Sequence, residues 1–547
     1  MPVPTSAPRP HVSSTALAVA VALYLIAAAN LTFWQKAWEG FATVGAFVSF
    51  GLATVLIFIA GCLALSYKYL AKPVFIFAIL SAACASYFTD TFGTIIDTNM
   101  IENVLATNSG ESGEFFTWGL ARHMLLFGLL PSLVVAWTRV TYGGVGLQVR
   151  RNLVIAAASL AVAAVLIGTH LAETRAAIRH DFHALIDTLN PPGPISATVK
   201  AAAALARDRN ARREPIGEDA RKGSWITAAG KPVVTVIVVG ESARAMNFSL
   251  NGYGRNTNPV LSRLPVLNFT NVTSCGTETS ISLRCMFSGL GRSNFSKSAA
   301  MGRESLMDVF RHAGIDVLWW DNDGGAKGVA DGVSYQSYML RNDPDRCTAG
   351  TCQDDIFLED LDTLLSRIER DTVVVLHQRG SHGPAYYLRY PDTFRPFQPD
   401  CRQYDPTTCA PDSVVNAYDN TIAYNDRFLG RVIGLLEKYD RQMAGSMFYV
   451  SDHGESLGEK GLWMHGTPFD RAPREQTHVP LIIWTAPQYR ALSGLDHGCG
   501  KRLADSAFSH DNVYDTLLGM MNVETTVYRP TLDMLAGCRA PITATSG

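Results

Sequence analysis

The chain begins with long apolar runs and continues with short ones. Thr15–Phe33, Ala42–Leu65, Pro73–Phe88, Trp118–Trp137 and Leu153–His170 are of spanning or near-spanning length, and only the fourth carries a charge, Arg122. Each is long enough for an α-helix to cross or nearly cross bilayer hydrocarbon, so five transmembrane helices are predicted. A cleaved signal peptide explains the first run poorly, because four more follow and no small-residue cleavage pattern stands after it. Beyond residue 171, apolar positions recur at helical spacing up to Asn190. Pro191-Pro192-Gly193-Pro194 then interrupts, and a second helical stretch with interspersed Arg and Lys follows. These stretches predict amphipathic bridging helices on the membrane surface, with an ordinary solvated linker as the alternative. From about residue 226 the period changes. "PVVTVIVVGES", "IDVLWWDND", "TVVVLHQRGSHG", "SMFYVSDHGES" and "VPLIIWTAP" are short β-branched or aromatic runs, separated by helical stretches such as "DDIFLEDLDTLLSRIER". Buried strands alternating with helices predict a parallel α/β sheet covered on both faces.

A chain of 547 residues has room for two or three domains. The predicted division is a five-helix transmembrane domain over 1–171, bridging helices and linker over 172–225, and an α/β catalytic domain over 226–547. Charges flanking the spans set the orientation. Arg9, Lys68, Lys72, Arg139, Arg150 and Arg151 fall on one side, while the opposite loops carry Lys36 against Glu39, Asp90, Asp97, Glu102, Glu111 and Glu114. The N-terminus is therefore expected in the cytoplasm and everything after about residue 171 outside. The cysteines agree, since Cys62 and Cys84 lie in predicted spans and the other eight all fall in the exported part. Cys275/Cys285, Cys347/Cys352 and Cys401/Cys409 are close enough to pair locally, which leaves Cys499 and Cys538 for each other. The net charge of −2 points to no particular partner, and no nucleic acid is expected.

In parallel α/β sheets the ligand site lies at the carboxyl ends of the strands. The residues that follow the apolar runs there are Glu241, Asp321, His377, His382, Asp452 and His453. Glu241, Asp452 and His453 suit a divalent cation such as zinc and leave one coordination position open. The loop "TSCGTETSISLRCMFS", residues 273 to 288, offers threonine and serine hydroxyls for it. Coordination lowers the pKa of a bound hydroxyl, which makes an alcohol a nucleophile near neutral pH.

"VGES", "SCGTETS", "CMFS", "LHQRGSHGPAYY", "YVSDHGESLGE" and "MHGTP" occur in order along the chain. In these blocks, and over its whole length, the chain resembles the phosphoethanolamine transferases that modify lipopolysaccharide, including the lipid A transferases and the mobile colistin resistance proteins. The resemblance implies an exported domain of alkaline-phosphatase-like or sulfatase-like fold. It implies Thr279 as the nucleophile and Glu241, Thr279, Asp452 and His453 as ligands of one zinc, with a second zinc in turnover. Thr277, Ser280 and Ser282 then shape the loop. Lys327, His382, Glu455 and His465 match positions that bind the donor phosphate, a second zinc or the leaving oxygen, with His382 and His465 in catalytic roles. In "NMIENVLATNSGESGEF", Asn103, Thr107 and Glu111 match the family's donor-lipid segment. The implied reaction moves phosphoethanolamine from phosphatidylethanolamine to a lipid A phosphate, carried out by a monomer in the bacterial inner membrane with its catalytic domain in the periplasm. A Kdo or core sugar is the alternative acceptor, and phosphoglycerol transfer the alternative chemistry. A sulfatase is disfavoured, because "SISLR" has serine at the middle position of its formylglycine signature. Two departures stand out: Arg284 replaces the usual proline before the second loop cysteine, and Ser280 replaces the usual alanine.

Overall fold

The computed structural model describes residues 9–106, 113–208, 213–339, 341, 343–348 and 350–539. The chain divides into two compact units, one of residues 1–105 and 116–203, the other of residues 106–115 and 204–547.

In the first unit, α1 (Ser14–Ala28), α2 (Leu31–Gly40), α3 (Val44–Ala64), α4 (Ala71–Phe92), α5 (Thr98–Ala106), α6 (Trp118–Trp137), α7 (Val145–Thr169), α8 (Leu171–Asp187) and α9 (Pro192–Asp208) follow in order. Among the described residues, α3, α4, α6 and α7 are each long and apolar enough to cross a membrane. The first predicted span is not one straight helix: α1 and α2 meet at a bend of 69°, so five crossings require this broken pair to count as one. Asn30 explains the break. Its amide donates to the carbonyls of Leu25 and Asn190, and its Oδ1 accepts from the Asn190 backbone N–H. Asn190 returns a bond to the Ala29 carbonyl, so buried side-chain amides satisfy backbone groups that the bend releases.

The second unit is built on an eight-stranded sheet of β1 (Val233–Gly240), β2 (Leu267–Thr273), β3 (Asp316–Asp321), β4 (Ser334–Ser337), β5 (Thr372–His377), β6 (Ala444–Ser451), β7 (His478–Thr485) and β8 (Phe508–Ser509). Its spatial order is β8-β2-β7-β6-β1-β5-β3-β4. Every residue of β1 is buried, both sets of alternating side chains included, so the sheet is covered on both faces. The flanking helices include α10 (Thr279–Ser288), α11 (Leu358–Ser366) and the long α12 (Pro411–Lys438).

The sheet is not all parallel. β6, β1, β5, β3 and β4 run together, but β7 is antiparallel to both β6 and β2. The connection from β6 to β7 contains only short strands, a turn of 3-10 helix and the four-residue helix Arg474–Thr477. Without a crossover helix the chain returns alongside β6 in the opposite sense. Four disulfides, Cys275–Cys285, Cys347–Cys352, Cys401–Cys409 and Cys499–Cys538, brace this unit.

Candidate active site

Strand register assembles the site. Gly240 at the end of β1 is level with Ser451 at the end of β6, and His377 on β5 is level with Val239 and Asp321. The next residues, Glu241 and Asp452, therefore emerge side by side. The loop after β5 crosses directly over Glu241. Ser381 N–H donates to the Glu241 carbonyl, and Gly380, at φ +50, passes so close that a Cβ there would lie 2.6 Å from that oxygen.

Thr279 is the first residue of α10, and its hydroxyl donates to Glu241 Oε2 at 2.9 Å and lies 3.5 Å from His453 Nε2. His453 Nδ1–H donates to the Gly454 carbonyl at 2.9 Å, which turns Nε2 toward the cluster as the atom whose lone pair can serve as a ligand. That nitrogen lies 3.3 Å from both Glu241 Oε1 and Asp452 Oδ2. Asp452 Oδ1 accepts from the N–H groups of Ser242 and His453, whereas Oδ2 is buried and has no hydrogen-bond partner. Burial, and next the Asp452 carboxylate, pushes the Glu241 carboxyl above the ordinary range. These converging acceptors fit a cation, for a tetrahedral shell of ~2.0 Å bonds has edges of ~3.3 Å.

Apart from Cys275, Cys285 and Asp511, whose cysteines are joined in a disulfide, two groups of buried or half-buried side chains among the described residues bring metal-ligating atoms within 4.8 Å of one another: Glu241, His453 and His465, and Glu241, Asp323 and His377. In the second group Asp323 and His377 already have charged partners. Burial opposes charge on His377, but the Asp321 carboxylate 2.6 Å from its Nδ1 outweighs this and holds its pKa up at about 9. Arg379 Nη1 donates to Asp323 at 2.9 Å. The open acceptor on Asp452 makes the Glu241–Thr279–Asp452–His453 cluster the better candidate metal site.

His465 and His382 border this cluster, their ring centres 5.3 Å apart. Burial disfavours the charged form of His465, but Glu455, 2.8 Å from Nδ1, raises its pKa to about 9. His382 goes the other way: burial, then Arg379, holds it well below its ordinary value. The pair thus offers a proton donor beside a neutral ring. Glu455 is fixed by Tyr386, whose hydroxyl donates to Oε1 at 2.8 Å. Lys327 hydrogen-bonds none of the four cluster residues. Its Nζ donates to the Gly324 carbonyl, and its own carbonyl accepts from Arg284. Asn103 lies in α5, while Thr107 and Glu111 fall outside the described residues.

Two of the other loop hydroxyls hold the loop in shape, and the third, Ser282 Oγ, has no hydrogen-bond partner. Thr277 donates to the Thr467 carbonyl at 2.6 Å and Ser280 to Glu278 at 3.2 Å, while Ser282 is buried. The Cys275–Cys285 bridge ties the loop to the middle of α10. Sequence reasoning missed His510, whose Nδ1 accepts from Cys275 N–H while Nε2 donates to the Ser451 carbonyl, joining the nucleophile loop to the end of β6. Burial lowers the His510 pKa to about 3, so the ring is a neutral strut. It also missed Arg389. This buried guanidinium donates to the His382 carbonyl, to Thr351 and twice to Glu114 at 2.7 Å. A charge predicted inside a buried domain was the available signal, but Glu114 lies 275 positions away.

Comparison with known proteins bears on the family and the fold. Residues 52–205 match the family model of the phosphoethanolamine transferase EptA/EptB, and residues 234–523 match that of sulfatases. The chain is 34% identical over 540 residues to the phosphoethanolamine transferase EptA of Escherichia coli K12, covering 97% of this chain and 98% of that protein. It is 36% identical over 536 residues to the phosphatidylethanolamine transferase Mcr-1 of Escherichia coli, covering 94% and 96%. The integral membrane lipooligosaccharide phosphoethanolamine transferase A of Neisseria meningitidis superposes with a TM-score of 0.92 at 32% identity, over 97% of this chain and 100% of that one. With near-complete coverage at this identity, the chain belongs to the EptA/EptB family of phosphoethanolamine transferases.

Proposed function

We propose that this enzyme transfers phosphoethanolamine from phosphatidylethanolamine to a lipid A phosphate by double displacement through Thr279, with zinc held by Glu241, Thr279, Asp452 and His453. The observation that carries the reading is the convergence of the Thr279 hydroxyl, the His453 lone pair and the unpartnered Asp452 oxygen at the head of α10. Zinc bound there supplies Lewis acidity, lowering the hydroxyl pKa and offsetting negative charge.

The side chains divide the remaining work. Glu241 accepts the Thr279 hydroxyl proton, and Thr279 Oγ1 forms a bond to phosphorus as the bond to the glycerol oxygen breaks. His465, held protonated by Glu455, is placed to give a proton to the departing diacylglycerol oxygen. In the second half an acceptor phosphate oxygen bonds to phosphorus as the Thr279 ester bond breaks; Glu241 returns its proton to Thr279 Oγ1, and the proton of the acceptor phosphate restores His465. The first turn of α10 directs its N–H groups and positive dipole end toward the phosphoryl oxygens in both halves.

Residence in the inner membrane with the second unit in the periplasm follows from this reading. Donor and acceptor lipids share that surface, and the periplasm keeps the four disulfides oxidised. The experiment is mass spectrometry of lipopolysaccharide from cells making the full-length protein and its Thr279→Ala variant. Phosphoethanolamine on lipid A phosphate in the first and not the second is the expected result. Its appearance on a Kdo or core sugar instead moves the acceptor and keeps the transferase chemistry.

A further inference from the structure

Asp354 is buried and begins the turn of 3-10 helix, Asp354–Phe357, that leads into α11. Its carboxylate meets the loop that follows β5 and crosses over Glu241. Oδ1 accepts from Arg379 N–H at 2.8 Å and Oδ2 from Gly380 N–H at 2.9 Å, so two successive backbone donors cradle one anion. Asn322, directly after β3, donates its amide to Oδ1 at 2.8 Å, and Gln378 Nε2 lies 3.5 Å from Oδ2. All four donors are neutral N–H groups. Burial outweighs these bonds and pushes the Asp354 pKa up to about 6, so the ionised side chain is costly where it stands. Local costs of this kind are characteristic of functional sites. The next residues along the loop show what the carboxylate holds. Ser381 N–H donates to the Glu241 carbonyl at 2.8 Å, and His382 follows it.

We propose that Asp354 is a positioning residue for phosphoethanolamine transfer, its ionised carboxylate fixing the Arg379–Gly380 backbone and, through it, the cover over Glu241 and the ring of His382. The inference rests on the Thr279 chemistry proposed above. Only an ionised carboxylate offers an acceptor to both N–H groups. An amide or a protonated acid turns an N–H or O–H toward one of them and pushes the loop away. The charged and titratable groups around Asp354 are Asp323 beyond β3, the Arg379 guanidinium, which donates to Asp323, and the phenols of Tyr424 on α12 and Tyr449 on β6. Activity should therefore be lost as the pH falls through about 6. Stability runs the other way. With the folded pKa raised, this group's contribution is present at low pH and is lost as the pH rises through that value, so a neutral replacement should not weaken the fold.

The test uses the full-length, zinc-loaded enzyme in detergent with phosphatidylethanolamine and lipid A, and compares it with Asp354→Asn and Asn322→Ala. Diacylglycerol release gives kcat and KM, and a melting curve is recorded for each protein. Asp354→Asn should lower kcat by roughly ten- to a hundredfold, the effect of an ångström-scale misplacement, with the donor KM little changed and a melting temperature no lower than that of the unaltered enzyme. Asn322→Ala leaves both backbone contacts in place and should keep most of the activity. At saturating zinc the unaltered enzyme should lose kcat as the pH is lowered through about 6, while the low kcat of Asp354→Asn stays level. Equal acid limbs in the two proteins would overturn the proposal, as would an unchanged kcat in Asp354→Asn, a loss matched by Asn322→Ala, or a loss that merely follows a lower melting temperature. If Asp354→Asn does not reach the membrane, the pH profile of the unaltered enzyme decides, and a flat one overturns the proposal. If the unaltered enzyme releases no diacylglycerol, the transfer reading fails first. Amide hydrogen exchange across residues 378–382 then decides whether Asp354 holds the loop, through faster exchange in Asp354→Asn or equal exchange in both.

Discussion

Thr277 and Thr279 are two positions apart, yet their hydroxyls face different tasks. Thr277 holds the loop to the Thr467 carbonyl, whereas Thr279 points at Glu241 and His453. Thr279→Ala should therefore abolish transfer, with no phosphoethanolamine adduct in the intact mass of the protein, while leaving its melting temperature within the small range of a non-core change. Thr277→Ala removes one buried hydrogen bond, costing about 1 kcal/mol, and should slow the enzyme without stopping it. A Thr279→Ala protein that still transfers would remove this residue from the mechanism. His465 reports on the cation directly. In metal-free protein its pKa is held at about 9 because Glu455 overcomes the cost of burial, so the ring is protonated through neutral pH and loses its proton only as the pH rises through that value. A divalent cation among Glu241, Asp452 and His453 opposes the imidazolium charge and must lower that pKa. An NMR titration of the imidazole with and without zinc checks the sign, and an unchanged value would put the metal elsewhere. At this scale the sequence was informative where a ligand-type residue directly follows an apolar run, as Glu241 and Asp452 do. It was silent on His510 and Tyr386, whose roles depend on partners far away in the chain.

The strands that carry Glu241, His377 and Asp452 were legible because they are fully buried, and burial on both faces writes itself as an unbroken β-branched run. The edge was not. β4 (Ser334–Ser337) reads "SYQS" and is largely exposed, so it carries no such run. The direction of β7 was hidden as well, since a strand's composition does not encode its sense, and only the short connection before it does. The bend after α1 is not visible in the first apolar run, because Asn30 looks like one tolerated polar residue until Asn190 supplies its partner. The Glu114–Arg389 pair likewise joins distant elements. Glu114 follows the segment that carries Thr107 and Glu111, and Arg389 holds the carbonyl of His382. Both side chains are almost fully buried. Replacing Glu114 with alanine leaves a guanidinium buried without its carboxylate, at a cost of about 3–5 kcal/mol. Denaturant melts of the full chain should show that loss, and the donor half-reaction should fall with it because the His382 loop is released. Glu114→Asp, which keeps the charge, should recover a measurable part of both. Equal stability in the alanine variant would show that the pair holds nothing in place.

For the molecule as a whole, the cysteine pattern and the lipid chemistry make linked demands. All eight cysteines of the second unit are paired, and the two unpaired ones, Cys62 and Cys84, belong to the apolar helices. Alkylation without reductant should therefore label nothing beyond residue 171, and several free thiols there would contradict an exported second unit. The cellular consequence follows from charge. Lipid A phosphates attract cationic peptides, and capping one with a group that carries an ammonium reduces the net negative charge of that surface. On the function proposed above, apolar helices anchor the enzyme in the membrane that carries both donor and acceptor lipids, so the effective concentration of each is high even where its affinity is modest. Cells expressing the chain should thus become less susceptible to polymyxins, and the change should vanish in Glu241→Ala, Thr279→Ala, Asp452→Ala and His453→Ala variants that reach the membrane in normal amounts. Minimum inhibitory concentrations measured alongside lipid A mass spectra separate the alternatives. Resistance that persists when Thr279 is gone would mean that the phenotype does not come from phosphoethanolamine transfer at this site.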